Sequence, residues 1–317
     1  MKLAYISTEY PPLVYGGLGV YVHYISHELN AMGQKISVFT CGDGKIGKYG
    51  NNEGIEVIHE TPVPLKDGLE IFLSSQSLAW GSSLNFLLDL FSYNRLAAAD
   101  ILRKGPFDLC VAHDWLGLPG AMAVKREGHP MIYHVHGLEI GRSDRPNPQL
   151  VELERKGTEL ADLVITVSNA MKHELAEMGV QLDKIRVCHH GVDAEFLDPE
   201  RTTPERLQAL RSKYSLNEDD FVVLFMGRLE PVKGVNQLIE AMSVVAGKYP
   251  KARLLIVGKG SLEENVKEVS EHRGFIILVT DFLSSEDKRD HYALADLCVF
   301  PSLYEPFLAL WPWRLQP

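Results

Sequence analysis

The sequence lacks several patterns that would identify a class of protein. None of its four cysteines belongs to a Cys-x-x-Cys pair, and three of them lie in apolar, strand-like runs. Reduced thiols in the protein core are therefore expected, rather than a disulfide framework. No apolar run approaches the roughly 18 residues that a membrane span requires. The sequence thus predicts no transmembrane segment.

An excess of basic residues is also absent. The chain contains 32 Lys and Arg against 42 Asp and Glu, which gives a formal net charge of −10. Proteins that bind nucleic acid or an anionic bilayer need dense Lys and Arg. We therefore expect no nucleic-acid partner, and any phosphate that the protein binds must be met by a few local groups.

The first residues, MKLAYISTEYPPL, place a single Lys before a short apolar run that is interrupted by Glu9 and two prolines. A secretory signal needs a longer apolar stretch after its basic start. We therefore expect a cytoplasmic protein.

The 317 residues, 45% of them hydrophobic and 23% charged, are typical of a globular protein with two domains. Apolar runs of strand length alternate with amphipathic stretches of helix length, which predicts an α/β fold with helices on both faces of parallel sheets. The first series of apolar runs is KLAYIS, KISVFT, DLCVAH, MIYHVH, LVITVS and IRVCHH, and the second is FVVLFMG, ARLLIVG, FIILVTDF and LCVFPS.

We interpret the two series as two Rossmann-like, doubly wound domains, residues 1–195 and 196–317, joined near residues 190–200. Ligands of such sheets bind beyond the carboxyl ends of the strands. Candidate functional residues are therefore sought where the apolar runs end.

Glycines follow the first apolar run, in TEYPPLVYGGLGVYV. Gly16 and Gly17 precede an amphipathic helix that we expect to begin near Val20, and the free N–H groups of a helix start favour a phosphate. A tight turn without a ligand is the alternative. The loop is too long, and the glycine spacing wrong, for a dinucleotide-binding turn, so NAD is not expected.

Two cations follow the run FVVLFM, in the loop MGRLEPVKG. Arg228 and Lys233 at the carboxyl end of a strand suit a diphosphate. The alternative is a solvated pair of cations that neutralises Glu230.

Histidines mark the end of MIYHVH. His134 and His136 lie two apart on a predicted strand, so their side chains share a face. A zinc site needs further ligands, for which His113 is a conceivable third, and we do not expect a metal. Asp-x-Asp, the pattern of a metal-dependent diphosphate site, is absent from the sequence.

Several segments together resemble a known family. The chain is similar to retaining nucleotide-sugar glycosyltransferases of the GT-B fold, family 4, close to bacterial and archaeal glycogen synthase relatives. The similarity runs from Lys2 to Phe307. It is carried, in order, by EYPP with its glycine pair, HDW, HG, ADLVITVSNAM, GVDAEFLDP, GRLEPVKG and ADLCVFPSLYEPF.

The resemblance implies where the donor binds. It places Gly16 and Gly17 beside the donor diphosphate and gives Arg228 and Lys233 the role of clamping it. No metal ion is then required, because these cations offset the charge that develops on the leaving diphosphate.

The resemblance also implies catalytic residues. It places His136 near the donor sugar and Glu305, in PSLYEPF, at the anomeric side of that sugar. Asp114 of HDW lies in or near the same site, although an Asp before Trp at a strand end can also merely cap a helix.

The implied reaction moves a sugar, with glucose favoured, from ADP-glucose or a UDP-sugar to a glucan or another saccharide acceptor. Two alternatives stay open, namely a sugar-nucleotide epimerase on the same fold and an inactive remnant that binds nucleotide sugar weakly.

The last residues, LALWPWRLQP, depart from the family pattern. A second Glu is expected eight positions after Glu305, where Trp313 stands. A compatible gene sequence read two nucleotides further on encodes Gly-Ile-Val-Ala-Leu-Glu-Ala-Ala-Ala, which restores that Glu. We therefore expect a frameshift or truncation after Phe307, an incomplete second domain and impaired activity.

Overall fold

The computed structural model describes residues 1–69, 71, 74, 82–142, 145–195, 198–281 and 283–306. The chain divides into two compact units, Met1–His190 and Gly191–Pro317. The divergent tail after Phe307 lies outside the described residues, and the domain boundary after residue 195 stays a prediction.

Unit 1 is built on an eight-stranded sheet with the order β3-β4-β2-β1-β5-β6-β7-β8, in which all neighbours except β3 and β4 are parallel. The inner strands are buried along nearly their whole length, as strands covered on both faces must be. The strands are β1 (Lys2–Ser7), β2 (Lys35–Cys41), β3 (Tyr49–Asn52), β4 (Ile55–Glu60), β5 (Leu109–His113), β6 (Met131–Val135), β7 (Leu163–Thr166) and β8 (Ile185–Val187).

The helices of unit 1 follow these strands and supply the apolar faces that cover the sheet. Val22 of the first helix, for example, packs with Tyr5 and Val38 of the sheet. The described helices are α1 (Gly17–Ala31), α2 (Lys66–Leu69), α3 (Ser82–Lys104), α4 (Asp114–Arg126), α5 (Glu139–Arg142), α6 (Pro148–Leu160) and α7 (Asn169–Glu177).

Unit 2 contains a four-stranded parallel sheet with the order β11-β10-β9-β12. Its strands are β9 (Phe221–Met226), β10 (Ala252–Val257), β11 (Ile276–Val279) and β12 (Leu297–Cys298), and its helices are α8 (Pro204–Lys213), α9 (Val235–Lys248), α10 (Glu263–His272) and α11 (Ser285–Leu294).

Two local expectations were wrong or incomplete. Helix α1 begins at Gly17, three residues before the expected start near Val20. The sequence does not show this start, because a glycine-rich first turn carries little helical preference of its own. The antiparallel hairpin β3–β4 was missed, since YGNN is polar and contains residues that are depleted in strands.

Both sheets reverse their direction of growth at their first strand. In unit 1 the chain builds β2 on one side of β1 and later adds β5 on the other side. In unit 2, β10 lies on one side of β9 and β12 on the other. The loops diverge at such a switch point and leave a crevice at the carboxyl ends of the strands, where ligands bind.

Glycines let the loops of unit 2 approach each other closely at this edge. Gly234, which precedes α9, has a φ of 70°, and a Cβ there would lie 2.0 Å from the carbonyl oxygen of Pro301. A Cβ at Gly258, after β10, would lie 1.9 Å from the carbonyl oxygen of Gly227. The loops after β9, β10 and β12 are therefore packed backbone against backbone.

Replacement of Gly234 by Ala tests this packing. We expect Gly234→Ala to lower the free energy of unfolding by about 1–3 kcal/mol or more, because Ala is strained at positive φ and its methyl group overlaps Pro301. Gly247→Ala is the matched control, since Gly247 lies in α9 with nothing within 4 Å of its Cβ position. That change should stabilise by up to about 1 kcal/mol, as urea unfolding would measure. Equal effects of the two changes would contradict the close packing.

Candidate active site

Four histidines cluster at the carboxyl ends of the strands of unit 1. His113 ends β5 beside its register partner His134 in β6, and His136 follows two residues later. The rings of His134 and His136 stack with centroids 4.3 Å apart. His113 Nδ1 lies 3.1 Å from His136 Nε2, and His136 Nδ1 lies 3.1 Å from His190 Nε2. Both ring nitrogens of His136 therefore contact another imidazole.

The four imidazoles are neutral at physiological pH. Burial lowers the pKa of His113 to about 3 and that of His190 to about 4. Burial, reinforced by the neighbouring histidines, also holds the pKa values of His134 and His136 well below their usual range. In this state each ring has one donor and one acceptor nitrogen.

Asp114 holds the segment that carries His136. Its buried carboxylate accepts a hydrogen bond of 2.7 Å from the backbone N–H of His136 and one of 2.9 Å from the guanidinium of Arg142. Asp114 makes this contact from the first turn of α4 with a φ of 55°, and the residue that caps the helix is His113, without a side-chain bond. Asp114 thus positions His136 and does not cap the helix.

Glu154 of α6 completes the polar network beneath this segment and was not singled out in the sequence. Its fully buried carboxylate accepts from the backbone N–H of Glu139 at 3.0 and 3.1 Å. Burial raises the pKa of Glu154 to about 8, although Arg142 and the N–H of Glu139 favour the charged form. Its position in an amphipathic helix gave no sign that this Glu faces inward.

The glycine loop at the start of α1 already contacts a carboxylate. Glu9 accepts hydrogen bonds from the N–H groups of Tyr15 at 3.0 Å and Gly16 at 2.8 Å. The N–H of Gly16 is therefore engaged within the loop. Gly17 is different, because no atom lies within 4 Å of the position that its Cβ would take.

In unit 2 the structure brings Lys233 and Glu305 together. Lys233 Nζ lies 2.6 Å from Glu305 Oε2, and both side chains are partly buried. The same carboxylate oxygen accepts from Ser302 Oγ at 3.0 Å. Lys233 follows β9 and Glu305 follows β12, so the pair lies at the switch point of the sheet.

Arg228 lies on the same loop as Lys233, and its side chain is exposed. Glu230 does not neutralise these cations. Its carboxylate accepts instead from Ser261, at 3.1 Å from the N–H and at 2.6 Å from the hydroxyl. Among the described residues Arg228 forms no ion pair.

Among the helices that the structure describes, none combines the length and apolar character that a bilayer crossing requires.

Comparison with known proteins decides the family. Residues 15–196 match the family described as Glycosyltransferase Family 4, and residues 208–307 match the family described as Glycosyl transferases group 1. The chain belongs to Glycosyltransferase Family 4. The resemblance inferred from the motifs is thereby confirmed, and the protein is a glycosyltransferase.

Individual relatives agree with this assignment. The chain is 30% identical to a glycogen synthase of Mycobacterium tuberculosis over 97% of its own length and 74% of that protein. The structure of a sucrose-phosphate synthase from Thermosynechococcus elongatus matches with a TM-score of 0.77 and 20% identity, over 98% of this chain and 77% of that one. The catalytic domain of starch synthase IV from Arabidopsis thaliana, bound to ADP and acarbose, matches with a TM-score of 0.71 and 17% identity, over 97% and 80%.

The expected fold class, α/β of the GT-B type with Rossmann-like units, is confirmed by these neighbours. The roles of Gly16, Gly17, Arg228 and Lys233 in donor binding stay predictions. So do the catalytic roles of Glu305, His136 and Asp114.

The buried carboxyl of Glu154 predicts a pH dependence of stability in this transferase. In the folded protein the pKa of Glu154 is raised to about 8 from its ordinary value of 4.5, so the carboxyl stays protonated below about pH 8. Since the native state binds more protons than the unfolded chain in this window, Glu154 makes stability fall as pH rises from about 5 to 8.

We expect Glu154→Gln to remove this decline. The free energy of unfolding of the variant should then exceed the declining trend by on the order of a few kcal/mol at pH 8, as urea unfolding from pH 5 to 8 would measure. Glu159→Gln, on the exposed face of the same helix, is the control and should leave the decline unchanged. A parallel decline in Glu154→Gln and the parent protein would show that Glu154 is ionised in the fold.

Proposed function

We propose that this transferase moves a glucosyl group, with retention of anomeric configuration, from ADP-glucose or UDP-glucose to an α-glucan or another sugar acceptor. The observation that carries the proposal is the meeting of Lys233 and Glu305, 2.6 Å apart, at the switch point of the unit 2 sheet.

The charges at this edge suit a nucleoside diphosphate. Arg228 offers an exposed guanidinium that can bind two phosphate oxygens at once. Lys233 has three N–H donors, of which the contact with Glu305 uses one. The remaining donors of Lys233 are available for phosphate oxygens, so both cations can offset charge on the leaving diphosphate without a metal ion.

The side chain of Glu305 is held in place by two neighbours. Its carboxylate contacts both Lys233 and Ser302, which restricts the side chain to one direction. A fixed carboxylate beside the ammonium group suits hydrogen bonding to sugar hydroxyls near the anomeric carbon. As the resemblance implies, the leaving phosphate oxygen then takes the proton of the acceptor hydroxyl on the same face of the sugar.

For unit 1 we propose that His136 contacts the donor sugar and that Asp114 positions His136. Support comes from the hydrogen bond between the Asp114 carboxylate and the His136 backbone N–H at 2.7 Å. Since both ring nitrogens of His136 contact other histidines, one of these contacts must open before His136 can bind a sugar hydroxyl through its ring.

The glucan acceptor is supported by the relatives. One is named a glycogen synthase, and the starch synthase IV structure contains ADP and the saccharide acarbose. ADP-glucose and UDP-glucose are both candidate donors, and a comparison of their transfer rates distinguishes them.

Substitutions in unit 2 test the assignment. We expect Lys233→Ala, Arg228→Ala and Glu305→Ala each to lower transfer about 100- to 1000-fold, because each change removes a charge-assisted contact made in the transition state. Nucleotide release from ADP-glucose and UDP-glucose, measured with and without glycogen, gives the rate. Calorimetric binding of ADP and UDP gives a second measurement that does not depend on turnover.

Lys267→Ala, an exposed change on α10, is the control and should match the parent protein in both measurements. Transfer and nucleotide affinity near the parent values in Lys233→Ala would show that the diphosphate binds elsewhere. Nucleotide release that glycogen does not accelerate would favour an epimerase over a transferase to glucan.

A further inference from the structure

A third cation lies at the carboxyl ends of the unit 2 strands and was not singled out in the sequence. Lys259 follows β10 directly after Gly258, and its side chain is exposed. It joins Arg228 and Lys233, which follow the neighbouring strand β9. Of the three cations, only Lys233 has a carboxylate partner among the residues that the structure describes.

The backbone places Lys259 opposite Arg228. Strands β9 and β10 are parallel, and their hydrogen bonds continue past the ends of both strands. The N–H of Gly227 donates to the carbonyl oxygen of Val257 at 3.0 Å. The N–H of Leu229 donates to that of Lys259 at 2.8 Å in the same pattern. Arg228 and Lys259 are therefore register partners, on backbones about 4.8 Å apart.

The loops that carry these two cations are fastened to each other. A Cβ at Gly260 would lie 2.4 Å from the carbonyl oxygen of Leu229, so only a glycine allows the two backbones to approach this closely. The carboxylate of Glu230 reaches across to the loop after β10, where it accepts from the N–H and the hydroxyl of Ser261. The acidic side chain of the β9 loop therefore holds the loops together and does not neutralise Lys259.

Two cations in register repel each other, and an anion bound between them removes this repulsion. The acidic residues that follow in the chain, Glu263 and Glu264 in the first turn of α10, form no ion pair with Lys259 among the described contacts. A phosphate group is an anion that both a guanidinium and an ammonium group bind well. We propose that Lys259, together with Arg228, binds the phosphate of the donor that is attached to the nucleoside.

The strand order selects this phosphate rather than the one next to the sugar. The inference rests on the proposed function, in which Glu305 contacts the sugar. Glu305 follows β12 and Lys259 follows β10, and β9 lies between these strands. Two strand spacings, about 10 Å, therefore separate the two loops. A donor whose sugar lies at Glu305 extends its second phosphate and its nucleoside across β9 toward Lys259.

This place along the donor gives Lys259 a different role from Lys233. Transfer breaks the bond between the anomeric carbon and an oxygen of the sugar-side phosphate, and the bonding electron pair stays with that oxygen. Negative charge therefore increases on the sugar-side phosphate, while the nucleoside-side phosphate keeps the same charge throughout. A contact that is equally strong in the ground state and in the transition state raises donor affinity without raising kcat. Lys259 is thus a residue for donor binding and not for the chemical step.

Nucleotide binding to the full chain tests the assignment. We expect Lys259→Ala to weaken calorimetric binding of ADP and UDP about 10-fold, because one charge-assisted contact is lost. AMP and UMP carry only the nucleoside-side phosphate, so their affinity should fall by the same factor. Lys259→Arg keeps the positive charge and should retain most of the parent affinity. Lys251→Ala is the matched control, since Lys251 is exposed at the amino end of the same strand and pairs with Asp219, and it should bind like the parent.

Initial rates of transfer give a second readout. Lys259→Ala should raise the KM for the donor about 10-fold and leave kcat within about twofold of the parent value. Glu305→Ala, by contrast, should lower kcat. Circular dichroism of each variant confirms that it is folded.

The outcomes separate this inference from the proposed function. Parent-like affinity for ADP and UDP in Lys259→Ala, together with weakened affinity in Arg228→Ala, would overturn the inference and leave the proposed function standing. Weaker ADP binding with unchanged AMP binding, or a kcat that falls as much as kcat/KM, would overturn the assignment to the nucleoside-side phosphate. Parent-like affinity in both Lys259→Ala and Arg228→Ala would contradict the proposed function and this inference together.

Discussion

Both sheets reverse their strand order beside their first strand, β1 in unit 1 and β9 in unit 2, and the positions of the candidate site residues follow from this reversal. Parallel strands end at the same edge, and the crossovers on the two sides of the first strand pull the loops apart there. In unit 1 this edge carries the glycine loop after β1 and the histidines at the ends of β5 and β6. In unit 2 it carries the cations after β9 and the Glu after β12. The strand order of each sheet therefore fixes where the candidate site residues lie.

Much of the fold could be predicted from the sequence, because its strands are buried on both faces and read as continuous apolar runs. The runs KISVFT and FVVLFMG became β2 and β9 with nearly the expected bounds. Polar β3 was missed because this edge strand is largely exposed and needs no apolar residues. The start of α1 was misplaced because Gly17 and Gly19 favour no conformation strongly; there the helix is set by tertiary contacts, including the packing of Gly19 against Glu9.

The candidate site was harder to predict from the sequence than the fold, and the reason differs from residue to residue. Arg228, Lys233 and Glu305 could be proposed from the sequence because they follow apolar runs. The contact between Lys233 and Glu305 could not, because it spans 72 positions and depends on the order β9-β12. The proximity of His113 and His134 depends on the parallel register of β5 and β6, in which they are direct partners. Sequence spacing within one strand shows His134 and His136 together, whereas neighbours on another strand appear only once the sheet order is known.

The electrostatics of the two units differ at the places where a diphosphate is proposed to bind. At the start of α1 the Glu9 carboxylate already accepts from the N–H groups of Tyr15 and Gly16, so an anion is present where the helix would otherwise attract one. A diphosphate here gains the remaining N–H groups of the first turn but is repelled by Glu9. After β9, by contrast, Lys233 pairs with the carboxylate of Glu305, and Arg228 forms no ion pair among the described residues. In a chain with a net charge of −10, these two cations support the proposal that unit 2 neutralises the diphosphate. The glycine loop of unit 1 is then left with a weaker role, in which the open space beside Gly17 matters more than its helix dipole.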